Sequence, residues 1–501
     1  MIARTASSGL TLAALLAALA ACAVGPEFKR PAAPSESGYG VASSQTQTAS
    51  VEGMGGGAQR FVVGMDIPGQ WWTLFQSPKL TRLVEDALKA NPNVAAAEAA
   101  LRQAHELYSA QWGGYFPTVQ ASLSAERAKN ASAIIAPPTV SASPTYSLYT
   151  PQLTVSYAAD VFGGTRRAVE SARAQAEVTR FQLEATYVTL SSNVVVTAVQ
   201  EASLRGQIAA TGRLAQLQHD LTETIRHRRT LGTASELDLL TQQSAEAQTA
   251  ATLPPLQKQL GQTRDALTAL LGRLPSDEPQ ETFDLEDLTL PAEVPVSLPS
   301  KVVAQRPDVR QAEENLHVAS AQVGVALANM LPQFTISASA GSTALQVQHL
   351  FSPYAEFWSV GASLSQTLFD GGALLHRRRA ADAALDAAAA QYRAAVILAC
   401  QNVADTLRAL QADADALKAI SEADRAAKAT LDVARRQYEL GTISLVAVMN
   451  AEEAYQQAEI ALVQARANRY ADTAGLFQSL GGGWWNRPGE ALDEQSRSAV
   501  R

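Results

Sequence analysis

Cysteine is nearly absent from this chain. Cys22 and Cys400 are the two in 501 residues. Cys22 ends a targeting segment, which leaves Cys400 as a single thiol that can form no internal disulfide. Cys400 lies in an Ala-rich helical run and reads as a small packed residue. Charge is also sparse, at 18% of residues with a net charge of −8, and no basic stripe carries interleaved aromatics, so nucleic-acid binding is excluded. Mean hydropathy is −0.05. Past the N-terminus no apolar run approaches about 18 residues, which excludes a multi-span helical membrane protein. It leaves a β-barrel open, because barrel strands alternate and keep the average polar. No Gly-x-Ser-x-Gly, His-Glu-x-x-His or Cys-x-x-Cys occurs, so no enzyme motif is present. The six histidines are scattered. His219 and His227 are too far apart on one helix to share a metal, and His105 and His317 read as solvated or tunnel-facing. Gly53 to Gly57 lack a following Lys-Ser/Thr, so they form no phosphate loop.

What is present begins with the N-terminus. Arg4, an apolar stretch from Leu10 to Ala21, and Leu19-Ala20-Ala21-Cys22 resemble a bacterial lipoprotein signal. Residues 1–21 are expected to be removed and Cys22 to carry lipid, whose acyl chains anchor the protein at about 0.8 kcal/mol per buried CH₂. Ala23, in place of aspartate, points to the outer membrane. No other cofactor is expected. Residues 22–70 read as an acylated N-terminal tether, because 32–60 are rich in Gly, Ser, Ala, Gln and Thr.

One pattern is then stated twice. Asn91-Pro92-Asn93-Val94, Glu98, Leu101 and Phe116-Pro117 reappear as Arg306-Pro307-Asp308-Val309, Glu313, Leu316 and Leu331-Pro332, at an offset of 215 residues. Leu231-Gly232-Thr233 reappears as Leu440-Gly441-Thr442. A duplication this long is no solenoid, whose period is about 20–50 residues. It divides the chain into a first structural repeat over 71–290, a second over 291–485, and a flexible tail over 486–501.

Each repeat has the same grammar. A helical segment (about 78–113, about 299–330) ends before a proline. Two alternating strands follow. Val119, Ala121, Leu123 and Leu153, Val155, Tyr157 lie on one face in the first repeat, and Phe334, Ile336, Ala338 and Trp358, Val360, Ala362 in the second. The opposite faces are Ser, Thr, Gln and Gly, and aromatics cluster near the strand ends, which is the pattern of a membrane barrel. Four strands are too few to close one, so closure requires several chains. Long helices come next, about 165–230 and 373–439, the latter about 100 Å at about 1.5 Å per residue. A heptad rhythm through Val403, Leu410, Leu417, Leu431 and Tyr438 specifies packing against neighbouring helices. Asp413 and Asp424 sit in that seam. The Leu-Gly-Thr turns end these helices, Ser235 and Ser444 are expected to cap return helices over about 235–272 and 444–480, and Pro254-Pro255 is expected to break the first of them.

These residues together resemble the outer-membrane efflux proteins, a TolC-like family, and most of all its lipoprotein branch. The resemblance rests on Cys22-Ala23-Val24-Gly25-Pro26, Trp71-Trp72, Asp160-Val161-Phe162-Gly163, Arg306-Pro307-Asp308-Val309, Leu368-Phe369-Asp370-Gly371-Gly372 and Gly481-Gly482-Gly483-Trp484. It implies a mainly α protein with a transmembrane β-barrel, in which a homotrimer forms a twelve-stranded barrel continuous with a twelve-helix periplasmic α-barrel. It implies a passive conduit in a tripartite efflux pump, with a periplasmic adaptor and an inner-membrane pump of resistance-nodulation-division type as partners. Type I protein secretion and a pore-free structural lipoprotein are the alternatives. The resemblance further implies that Leu231, Gly232, Thr233, Leu440, Gly441 and Thr442 are adaptor-docking tips. The periplasmic gate is assigned to Ile443 and Leu445, with Asp238, Arg435 and Glu439 as salt links between the two hairpins.

Overall fold

Proline and aspartate set the element boundaries. The computed structural model describes residues 24–35, 38–39, 46–129 and 145–487; the signal segment, Cys22 and the tail beyond 487 lie outside the described residues. In chain order the elements are β1 (Arg60–Val63), α1 (Pro78–Ala90), α2 (Pro92–Trp112), β2 (Thr118–Lys129), β3 (Thr145–Ala159), α3 (Gly164–Thr230), α4 (Glu236–Leu270), β4 (Glu293–Val296), α5 (Pro299–Gln305), α6 (Pro307–Ala328), β5 (Gln333–Ser342), β6 (Glu356–Ser365), α7 (Ala373–Glu439) and α8 (Leu445–Ser479). The duplication is visible in the lengths: α3 and α7 each have 67 residues, α4 and α8 each 35.

Two expectations change here. Each helical segment before the strands is two helices, because the residue before a proline is driven out of the helical region. Asn91 and Arg306 accordingly have ψ of 124° and 125°. Asn91 also turns its side chain back, its Oδ1 accepting from the Asn93 N–H at 2.8 Å. Conversely, Pro254-Pro255 does not break α4, which runs through both prolines. The carbonyls of Ala250 and Ala251, which lose their helical donors, lie at exposed residues where water replaces them.

The described residues form two compact units. The first comprises Arg102–Val178 and Ala312–Tyr392 with the N-terminal stretch up to Arg30. Its sheet has the order β2-β3-β5-β6, antiparallel throughout. The register carries the sequence alternation across all four strands. Val119, Val155, Ala338 and Val360 form one row, while Gln120, Thr154, Ser339 and Ser359 form the next. Within the polar row the Ser339 and Ser359 hydroxyls are 2.8 Å apart. Sheet and long helix are joined by a capping aspartate in each repeat. Asp160 accepts from the Thr165 and Arg166 N–H groups at 2.9 and 2.8 Å, and Asp370 from those of Gly372 and Leu374 at 2.8 and 2.7 Å. This is the physical reason for Asp160 and Asp370 in the two strand-to-helix motifs: a carboxylate satisfies orphan donors at the positive end of a helix.

The second unit comprises the described residues of 31–101, 179–311 and 393–487. Its aromatic core stacks Trp71 on Phe477, with ring centroids 5.3 Å apart, and brings Phe75 to Tyr470. The heptad seam is buried at Val403, Leu410, Leu417 and Leu431. The stretch read as a tether is, over 46–63, part of this unit. β1 pairs in parallel with β4. The glycine-rich turn wraps Arg469, which is 0% exposed. Arg469 donates to the carbonyls of Gly55 and Gly57 at 2.6 and 3.0 Å, to Thr48 Oγ1 at 3.2 Å and to Gln59 Oε1 at 3.3 Å. Glycine suits the turn because a Cβ on Gly56 would lie 2.1 Å from the Val51 carbonyl.

Candidate functional site at the paired helical turns

Each long helix ends in a left-handed glycine, Gly232 at φ 74° and Gly441 at φ 73°. The flanking N–H groups close two carbonyls in a Schellman pattern: Thr233 to Arg228 and Gly232 to Arg229, Thr442 to Gln437 and Gly441 to Tyr438, all at 2.9 Å. The threonine doubles the bond, its hydroxyl donating to that same outer carbonyl at 3.0 Å in the first turn and 2.9 Å in the second. Leu231 and Leu440 are left 65% and 78% exposed. The two turns thus present the same small, rigid, apolar knob.

The turns lie side by side within the second unit. Ile225, Leu239 and Leu445 form one buried cluster across the two hairpins, with Leu221, Ala234, Tyr438 and Met449 packed on it. Arg228 sits over the Tyr438 ring at 5.3 Å. Ile443 is half-buried against Leu431, Ala434, Val448 and Ala451. Leu445, expected at a constriction, is buried in the chain's own core instead. The expected salt links are placed differently too. Asp238 closes a capping box with Ser235, accepting from its N–H and hydroxyl at 3.1 and 2.7 Å. Arg435 pairs at 2.8 Å with Glu452, so it ties α7 to α8 within one hairpin. Glu439 is exposed. Ser444 precedes α8 without a side-chain cap bond; the Ala447 N–H donates to the Ser444 carbonyl at 3.1 Å instead. Beside the turns, Leu240, Thr241, Ser244, Ala245, Gln248 and Met449 line a groove of about 410 Å³.

Two clusters bring in partners that the sequence reading did not find. In the second unit, burial and the neighbouring Asp413 push the Asp472 carboxyl up to about 7. Asp424 falls on the seam, and burial raises its carboxyl as well. In the first unit, residues 24–30 form a strap along α6. The Val24 N–H donates to the Phe162 carbonyl at 3.1 Å. Gly25 crosses Gly324 so closely that a Cβ would lie 2.5 Å from the Gly324 Cα. Phe28 stacks on His317 with centroids 4.2 Å apart, and Arg30 pairs with Glu313. Gly324, His317 and Glu313 lie on one face of α6, and a helix rises about 1.5 Å per residue against about 3.3 Å for extended chain, so the strap from Gly25 to Arg30 matches the length of helix from Gly324 to Glu313. His317, expected to be solvated or tunnel-facing, is half-buried and paired with Glu170 and Glu314. Among the described residues no cluster of His, Cys, Asp and Glu is arranged to hold a metal.

Comparison with known proteins fits this architecture. The pattern of the outer membrane efflux protein family matches residues 83–273 and 298–482. The chain is 29% identical to the pyoverdine export outer membrane protein OpmQ of Pseudomonas putida, over 83% of this chain and 89% of that one. It is 28% identical to the toluene efflux pump outer membrane protein TtgC of Pseudomonas putida, over 97% and 98%. Its fold superimposes on the outer-membrane channel OprN with a TM-score of 0.83 at 28% identity, covering 92% of this chain and 100% of that one. With the repeated strand pairs, the long helices and the paired turns in place across the matched region, the chain belongs to the outer membrane efflux protein family and is an efflux channel of the outer membrane, in a family of channels rather than enzymes.

Proposed function

We propose that three copies of this chain close into a twelve-stranded outer-membrane barrel continuous with a twelve-helix periplasmic tunnel. The assembly is the passive exit duct of a tripartite pump. The observation that carries this reading is the open sheet, whose strands β2 and β6 are its edges. Lipid tolerates no open edge, so the sheet must close. Four strands are below the smallest barrels, of about eight, so β6 of one copy has to meet β2 of the next. The family resemblance favours three copies over two. Cys22 carries lipid and holds the trimer to the membrane. The knobs Leu231-Gly232-Thr233 and Leu440-Gly441-Thr442 dock a periplasmic adaptor, which links the duct to an inner-membrane pump of resistance-nodulation-division type. Ile443 contributes to the resting constriction. The relatives' names support small molecules as the cargo, and a wide polar duct leaves selection to the pump.

Native mass spectrometry of the detergent-extracted protein tests the assembly, and accumulation of a fluorescent efflux substrate in a deletion strain tests the conduit. A lipidated trimer and restored efflux on complementation are expected. A stable monomer, or efflux indifferent to the deletion, would overturn the reading.

A further inference from the structure

The strap of the first unit is held at one point by a side chain with an unusual environment. His317 faces carboxylates through both ring nitrogens: Nε2 lies 3.0 Å from Glu170 Oε1 and Nδ1 lies 3.3 Å from Glu314 Oε2. A neutral imidazole has one N–H and one lone pair, so it satisfies one of these oxygens and turns a lone pair on the other. Only the imidazolium donates to both. Its face carries Phe28 of the strap, stacked at 4.2 Å and 12° from parallel. A cation against an aromatic face strengthens that contact.

Charged and titratable groups on the strap and on three helices surround it. From α3, Arg167 pairs with Glu170 at 2.7 Å and also donates to the strap carbonyls of Val24 and Gly25 at 3.2 and 3.4 Å. From α6 come Glu313 and Glu314, from the strap Arg30 on Glu313, and from α7 the hydroxyl of Tyr392 toward the same pair. Burial opposes protonation of His317, yet Glu314 and Glu170 outweigh it and hold the imidazole above its ordinary range. Glu170 stays below the ordinary carboxylate range: burial raises it, but Arg167 and His317 outweigh that.

We propose that His317 is an acid-closed latch for the N-terminal strap: as imidazolium it bridges α6 to α3 and holds Phe28 on its ring face, and on losing its proton it lets residues 24–30 lift from α6. The sign follows from the protonation. The latch is fully closed below the ordinary histidine range and opens as pH rises through the raised value. Opening adds the strap residues to the leash that leads to Cys22, so alkaline surroundings slacken the link between the anchor and the first unit.

Hydrogen–deuterium exchange of the intact protein in detergent, read on peptides covering 24–35 from pH 5.5 to 8.5 and corrected for intrinsic exchange, tests this. Wild-type strap protection is expected to fall about tenfold across the range, the scale of a charge-assisted hydrogen bond. His317→Gln is expected to show weak protection without a pH step. Glu170→Gln removes one of the two carboxylates and is expected to move the step to lower pH, which serves if His317→Gln does not fold. A flat wild-type profile, a step that survives in His317→Gln, or a step unmoved in Glu170→Gln would each overturn the latch.

Discussion

At the scale of single residues, buried charge decides what the second unit tolerates. Arg469 is enclosed and spends its donors on Gly55, Gly57, Thr48 and Gln59. Removing it leaves the buried Gln59 Oε1 and the half-buried Gly55 carbonyl without this donor, each costing about 1–3 kcal/mol. Arg469→Met is expected to destabilise by about 3–5 kcal/mol. Arg469→Lys is expected to rescue little, since a point charge cannot reach the fanned acceptors. Thermal unfolding followed by circular dichroism, with exchange over 46–63, checks both. Asp472 behaves oppositely. Its carboxyl is pushed up to about 7 by burial and by Asp413. A raised acid favours the protonated fold, so this contribution is complete below about pH 4 and is lost as pH rises to about 7. The group is partly exposed, and screening cuts the nominal effect to about 1–2 kcal/mol. Asp472→Asn is expected to raise the unfolding temperature at pH 7.5 and to leave it unchanged at pH 4. Equal gains at both pH values would show that the gain does not come from the titration of Asp472.

At the scale of elements, the two turn glycines separate folding from docking. A Cβ at Gly232 or Gly441 meets no neighbouring atom within 4 Å. The cost of alanine there is backbone strain alone, about 1–2 kcal/mol. Gly441→Asn, which tolerates the left-handed region, is expected to cost less and to keep the turn. If the knob docks an adaptor, both variants assemble normally while efflux falls, because added atoms protrude from the knob; unchanged efflux in the double variant at 232 and 441 would remove the docking role. The same elements show what a sequence can declare. The seam through Val403, Leu410 and Leu417 was legible because heptad spacing is a local, repeated signal. So were the four strands, whose period of two survives into the register. The glycine-rich stretch was not. Its composition is that of a tether, and its order comes from Arg469, some 412 residues away from Gly57. His317 was equally hidden, since nothing local brings Glu170 and Phe28 to it. At the turns, Asp238 looked like a link between hairpins because its capping partner, Ser235, serves equally well as a plain cap.

At the scale of the whole molecule, the divergence between the two repeats bears on gating. The first turn continues with Ala234, the second with Ile443. Ala234 packs on the buried Ile225–Leu239–Leu445 cluster, and Ile443 on Leu431, Ala434, Val448 and Ala451. Three copies would therefore carry three bulky apolar side chains at one set of turns and three small ones at the other. A ring of isoleucines closes a duct by excluding water, without the charge that an acidic ring needs. Ile443→Ser is expected to raise single-channel conductance of trimers in planar bilayers. It also removes packing within its own hairpin, so Val448→Ala serves as the control. Val448 belongs to the same cluster and is 1% exposed. A loosened hairpin would raise conductance in both variants, whereas a gate at Ile443 raises it in Ile443→Ser alone. If Ile443→Ser trimers conduct as the wild type does, the constriction is formed by other residues, and the asymmetry of the repeats serves packing between the hairpins.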